Sequence, residues 1–304
     1  MPETLLKRTS RLLAPSTLLF WAWASLVSQI LIVVTGGVVR LSGSGLGCPT
    51  WPKCTDASLV TVPAQGYHGV IEFANRMLTF ALAVIAVATL VVVFRKGVDR
   101  ALRVRSLAVV LFLGIPAQAV LGGFTVLFKL NPWFVGAHFI LSAVMIVIAT
   151  VLVWRSHSPE AAVVPALAYS LAPFVWVVGA VAVVVGVLVT GAGPHAGDAQ
   201  SVRNGLDLAT WEHFHSYPAY LLLILTLVQW LVIRRADRPE TGKNGRSLPT
   251  VIVQWLLVVL FAQVVVGVLQ ARLGVPVGLV EIHMLLASCL ISLITFHYLA
   301  TRVK

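Results

Sequence analysis

The sequence predicts an all-α integral membrane protein: eight transmembrane helices forming two parallel-repeat four-helix bundles, with both termini cytoplasmic. Three observations carry that expectation. Apolar residues make up 59% of the 304 positions and charged residues only 11%, against roughly a quarter in soluble domains, too few to build a water-facing surface. The apolar runs are long and unbroken, without the period-two alternation of barrel strands. A histidine-bearing hairpin also occurs twice: Gln118, Gly122 and His138 return as Gln263, Gly267 and His283, each 145 positions later.

Taken in order, the spans are expected at 16–39, 70–94, 106–128, 133–154, 166–190, 211–233, 249–271 and 278–300, each near the ~20 residues that cross hydrocarbon. The first follows Lys7, Arg8 and Arg11 as a signal peptide would. It is too long for such a segment and has no small-residue cleavage site after it, so it reads as a retained span. Of the 22 Lys and Arg residues, 16 fall at the termini and in alternate loops: Lys7, Arg8, Arg11, Arg95, Lys96, Arg100, Arg103, Arg105, Arg155, Arg234, Arg235, Arg238, Lys243, Arg246, Arg302 and Lys304. By the positive-inside bias that side is cytoplasmic. Four spans per half make the repeats parallel, related by an axis along the membrane normal, with halves at 1–160 and 161–304.

The repeat extends beyond the hairpin. Thr35-Gly36 matches Thr190-Gly191 at an offset of 155, and Glu72 and Asn75 match Glu212 and His215 at an offset of 140. The first outer loop is therefore 15 residues longer than its counterpart, and the extra length holds Cys48, Trp51 and Cys54. The polar stretch 234–246 reads as the linker between spans six and seven.

Function classes can be excluded at this level. The net charge of +11 lies in short loops, as topology signals do, and no soluble basic domain is present to bind nucleic acid. The glycine-rich run Thr35–Gly47 follows a span instead of a strand and lacks the phosphate-loop lysine, which excludes nucleotide binding. Its glycines let the loop fold back over the bundle mouth, and Arg40 is placed to face a carboxylate, such as a haem propionate.

His138, His215 and His283 each fall one to two turns inside the outer end of a span. Ionisable groups at that depth are costly and usually functional. His215 on span six and His283 on span eight are placed to face each other and to hold a six-coordinate haem iron between them. The alternative is that each imidazole only hydrogen-bonds a neighbouring helix. His213 points to the other side of its helix, while His157, His195 and His297 carry no repeat signal. At the second span Glu72, Asn75 and Arg76 share a face. Glu72 with Arg76 reads either as an interfacial ion pair or as a carboxylate that handles protons during carbon oxidation. Cys48 and Cys54 lie on the outer face, an oxidising compartment in bacteria, so a disulfide is expected. It reads as a loop clamp or as a redox couple. Zinc is disfavoured because no second ligand pair lies nearby. Cys289 reads as a small apolar side chain.

Together these stretches resemble the haem A synthase family, related to mitochondrial Cox15. The motifs are GGVVRLSGSGLGCPTWPKC at 36–54, EFANR at 72–76, the helix around His138, EHFH at 212–215 and EIHMLLA at 281–287. The resemblance implies an enzyme of the bacterial cell membrane that oxidises the C8 methyl of haem O to the formyl of haem A by successive hydroxylations. It implies a haem b cofactor between His215 and His283 in the C-terminal half. The substrate haem would lie in the N-terminal half with Glu72 and His138, beside Asn75, Arg76 and Arg40. It further implies the Cys48–Cys54 pairing, and haem O synthase and terminal-oxidase assembly factors as partners beside membrane lipid. Many members read ExxHR where this chain has Glu72-Phe-Ala-Asn75-Arg76. The second ligand of the substrate iron is then absent or supplied by His68. The alternatives to the enzyme are a dihaem electron carrier of the cytochrome b type and a haem transporter or chaperone.

Overall fold

A computed structural model describes residues 15–95, 98, 103–157, 164–236 and 246–302. Eight helices run through them: α1 Pro15–Leu41, α2 Gly66–Phe94, α3 Arg105–Leu127, α4 Pro132–His157, α5 Ala166–Ala192, α6 Leu208–Ala236, α7 Leu248–Arg272 and α8 Val277–Ala300. A single 3-10 turn, Pro63–Gln65, leads into α2. All eight are long and apolar enough to cross a membrane, and the described residues contain no strand. The chain is a multi-pass helical membrane protein.

Several helices run past their expected spans. α1 continues to Leu41, so Arg40 is helical, and α2 begins at Gly66, so Glu72 sits in its second turn. Helical hydrogen bonding persists into the interface, where hydropathy has already fallen, because unpaired backbone groups near lipid are costly. Eight of the positive residues counted for topology lie outside the described residues: Lys7, Arg8, Arg11, Lys96, Arg100, Arg238, Lys243 and Lys304. So do most of the 234–246 linker and the junction between residues 160 and 161.

Two larger hydrophobic clusters, and a small third of Ala168, Ile233 and Val253, hold the helices together. Leu26, Val93, Leu111, Met145 and Leu152 form one, from α1 to α4. Val175, Leu222, Leu256 and Leu260 form the other, from α5 to α7. α8 contributes to both, with Ile291 in the first and Leu290 and Ile294 in the second. α8 also packs on α1 and α4, and α4 packs on α5. Small residues permit this close approach: a Cβ on Gly136 would lie 2.8 Å from Val187 Cγ1, and one on Gly179 2.7 Å from Ile294 Cδ1. Within the seam Thr150 and Ser292 share a hydrogen bond of 2.9 Å.

The two histidine hairpins match down to their turns. Lys129 and Leu130 adopt φ of 51° and 57°, and their counterparts 145 positions on, Gly274 and Val275, adopt 75° and 60°. The amide of Leu130 donates to the Thr125 carbonyl at 2.7 Å, and that of Val275 donates to the Gln270 carbonyl at 2.8 Å. These left-handed residues close each helix C-terminus and turn the chain into the next helix. Three of the four are not glycine, so the hydrogen bonds offset a backbone cost of about 1–2 kcal/mol per residue.

Candidate functional site

In the second half, His215 lies two turns into α6 and His283 two turns into α8, about 10 Å below the outer helix ends. α6 starts at that level because Asp207 caps it. The Asp207 carboxylate accepts from Thr210 N at 2.9 Å and from Thr210 Oγ1 at 2.5 Å. Those bonds hold its carboxyl below the usual range. The His215 and His283 rings face each other with centroids 6.3 Å apart and planes at 72°. A glycine from a neighbouring helix backs each ring. A Cβ on Gly186 of α5 would stand 2.9 Å from His215 Cε1, and one on Gly267 of α7 would stand 3.2 Å from His283 Cε1. The amide of Gln263 lies 3.1 Å from His283 Nε2, while His283 Nδ1 is buried without a hydrogen-bond partner among the described residues. An iron bonded to one nitrogen of each ring at about 2 Å, with each ring centre about 1 Å further on, puts the centroids about 6 Å apart. The two imidazoles are therefore spaced as residues that would hold a haem iron between them. Among the described residues no group of three or more His, Cys, Asp or Glu gathers to hold a bare metal ion.

The first half repeats part of this arrangement. His138 lies two turns into α4, and a Cβ on Gly122 of α3 would stand 3.3 Å from its Cε1. Gln118 Nε2 donates to Ser142 Oγ at 2.7 Å, and that hydroxyl donates to the His138 carbonyl at 3.0 Å. His138 Nδ1 and Asn75 Oδ1 are buried without hydrogen-bond partners among the described residues.

Glu72 and Arg76 form an ion pair at 2.5 Å. They also bind the outer loop. Glu72 Oε2 accepts from the Cys48 amide at 2.5 Å. Arg76 donates to the carbonyls of Cys48 at 3.0 Å, Thr50 at 3.1 Å and Lys53 at 3.2 Å. Cys48 and Cys54 are joined in a disulfide, both fully buried. Trp51, between them, packs against Gly123 of α3, where a Cβ would stand 2.5 Å from Trp51 Cδ2. The loop thus covers the helix turn beside Gly122. His68 is tied to the same loop: its Nδ1 lies 2.9 Å from Ser44 Oγ, and its ring lies 4.0 Å from that of Tyr67.

Arg40 reaches across the seam between the halves. It donates from Nη2 to the Thr190 carbonyl at 2.6 Å, and no carboxylate lies within 4.0 Å of it among the described residues. Close by, the Gly45 amide donates to the Gly197 carbonyl at 2.9 Å and joins the outer loops of the two halves.

Sequence reasoning missed Gly186 and Glu281. Gly186 interrupts a valine run, Val183-Val184-Val185-Gly186-Val187, and such a break inside a span signals close approach of another group. Glu281 is an acid within the last span. Both its carboxylate oxygens are buried without partners among the described residues, pressed towards Gly37 of α1. Its counterpart 145 positions earlier is Gly136, so the repeat comparison passed over it.

Two imidazoles that face each other within a bundle of eight membrane-spanning helices define a membrane protein with a candidate haem site. Residues 19–295 match the COX15-CtaA family, cytochrome oxidase assembly protein, and the chain belongs to that family. Its curated relatives carry the name Heme A synthase. The protein of Bacillus licheniformis is 25% identical over 138 residues, 44% of each chain. That of Listeria monocytogenes is 26% identical over 310 aligned positions, covering 93% of this chain and 95% of its own. That of Listeria welshimeri is 27% identical over the same shares. The chain is thus an oxidoreductase of the haem A synthase family.

Proposed function

We propose that this protein converts haem O to haem A by oxidising the C8 methyl to a formyl group. The observation that carries this reading is the facing His215–His283 pair at 6.3 Å in a chain whose relatives are named Heme A synthase. His215 and His283 hold a haem b, which when bound supplies one-electron redox chemistry. The half formed by residues 161–304 keeps that cofactor, and the half formed by 1–160 takes the substrate.

His138 binds the substrate iron, and Asn75, with its buried free carbonyl oxygen, hydrogen-bonds at the same level. Oxidation of a methyl carbon releases protons, and Glu72 is the carboxylate that accepts them. Arg76 holds Glu72 in place through two hydrogen bonds, at 3.2 and 2.5 Å. Arg40 neutralises a carboxylate edge of the porphyrin. The excess of Lys and Arg on one side supports cytoplasmic termini, and the bacterial relatives support the plasma membrane of a bacterium, where haem O synthase and terminal-oxidase assembly factors would be its neighbours.

The pure electron-carrier reading is disfavoured by the break in symmetry at Asn75, which stands where the second half has His215. The test is expression in a host that makes haem O, followed by extraction and separation of the haems. Haem A should accumulate, and none above the empty-vector control would refute the reading.

A further inference from the structure

One of the differences between the two hairpins lies a turn beyond the histidine. Ser142 lies one turn beyond His138, and the residue 145 positions later is Ala287. In the first half the Ser142 hydroxyl donates to the His138 carbonyl at 3.0 Å and accepts from Gln118 Nε2 at 2.7 Å. In the second half no hydroxyl stands there, and Gln263 reaches the ring instead, 3.1 Å from His283 Nε2. The NH₂ of an amide can only donate, so it occupies the lone pair of a neutral imidazole. That lone pair is the one a metal takes. His138 meets no such competitor: its Nδ1 is buried, and neither ring nitrogen is hydrogen-bonded among the described residues.

We propose that the Ser142/Ala287 difference sets the availability of the two imidazoles. Ser142 diverts Gln118 and leaves His138 open to an exchanging porphyrin iron. Gln263, undiverted, caps His283 until a resident iron displaces it. Gln118 and Ser142 are positioning residues that act through His138. The inference rests on the reading of the first half as the substrate side. A resident cofactor breaks the Gln263 bond once, at assembly. A substrate site would break such a bond at every turnover, and Ser142 removes that step.

The test uses the full chain in detergent with its resident haem in place, titrated with iron protoporphyrin IX and followed by the Soret absorbance of the second porphyrin. Ser142→Ala frees Gln118 to reach His138 and should weaken first-half binding roughly 2- to 10-fold, the worth of one competing hydrogen bond. Adding Gln118→Ala to it removes the competitor and should restore affinity to within about 2-fold. Ser142→Thr keeps the hydroxyl and should bind as wild type does. In the apo chain Ala287→Ser should speed uptake at the second half. Unchanged affinity in Ser142→Ala overturns the proposal, and so does a loss that persists in the Gln118→Ala double variant, which would mark a packing effect. A wild-type chain that takes no second porphyrin overturns it as well. A chain that shows the predicted titrations but makes no haem A overturns the proposed reaction and leaves this inference standing.

Discussion

Glu72→Gln separates the two readings of the carboxylate. Glu72 is nearly buried, its side chain 7% exposed beside Arg76 at 19%. It accepts three hydrogen bonds, from the Cys48 amide at 2.5 Å and from Arg76 Nε and Nη2 at 3.2 and 2.5 Å. A glutamine keeps one oxygen and turns an NH₂ towards either the Cys48 amide or the guanidinium, both donors. At least one charge-assisted bond is lost and one donor faces another, which costs about 2–4 kcal/mol. Arg76→Ala should cost more, about 3–5 kcal/mol, because it leaves a buried carboxylate with only the Cys48 amide and strips three loop carbonyls of their donor. Arg76→Lys should fall between, since an ammonium cannot reproduce the guanidinium fork. The assay is unfolding of the full chain in micelles by tryptophan fluorescence, with protease cleavage within residues 48–54 as a second readout. The double-mutant cycle should give a coupling of about 1.5–3 kcal/mol. If Glu72→Gln unfolds with wild-type stability and leaves the loop equally protected, the carboxylate does not hold the loop, and any loss of haem A formation is chemical alone.

The remaining predictions concern the second half, the disulfide and the seam. His283→Ala should abolish the low-spin haem b spectrum, and a persisting six-coordinate spectrum would reassign the ligand. Gly186→Val should do the same without unfolding the chain, because even a Cβ there comes within 2.9 Å of His215 Cε1; circular dichroism checks the fold. Cys48→Ser opens a short loop, separation 6, and should lower stability by about 2 kcal/mol, read as a difference in unfolding that reductant reproduces in the wild type. Thr150→Val removes the seam hydrogen bond to Ser292 and should cost about 0.6 kcal/mol, measured by the same unfolding assay.

Much of the molecule was legible in the sequence because a membrane permits few solutions. Every backbone polar group in hydrocarbon must be satisfied within a helix, so apolar runs of about 20 residues translate almost directly into spans. The hairpins were legible because duplication left a constant spacing: the 145-residue offset that pairs His138 with His283 also pairs the left-handed turn residues Leu130 and Val275. The i, i+4 relation of Glu72 and Arg76 pointed to an ion pair, and the pair forms. Their shared grip on Cys48, Thr50 and Lys53 was not legible, because the path of the irregular loop 42–62 is set by contacts with no periodicity. The backing of His215 by Gly186 escaped for a different reason. Its counterpart at the 155 offset is Leu31, so searching for matches between the halves hid a residue whose importance lies in the mismatch.

That last case bears on how the two halves divide their work. Four positions where the repeat fails lie on the histidine-bearing helices or beside them: Asn75 against His215, Leu31 against Gly186, Ser142 against Ala287, and Gly136 against Glu281. The second half gains a facing imidazole and the glycine that makes room for it, both of which favour a fixed planar group between two rings. Its glutamine, Gln263, reaches the imidazole, as Gln118 does not in the first half. The first half has one imidazole without a polar partner, a serine that keeps the glutamine away, and a loop with a buried disulfide laid over the neighbouring turn. Each difference alone is a single substitution with a local packing effect. Under the proposed function they act in one direction, towards two iron ligands in one half and a single ligand in the other. If Asn75→His gave the first half a second stable six-coordinate haem while haem A formation fell, the single open ligand would be what separates a site that works on a haem from one that keeps it. If the variant formed haem A at the wild-type rate, the asymmetry would have to act through Glu72 and its loop instead.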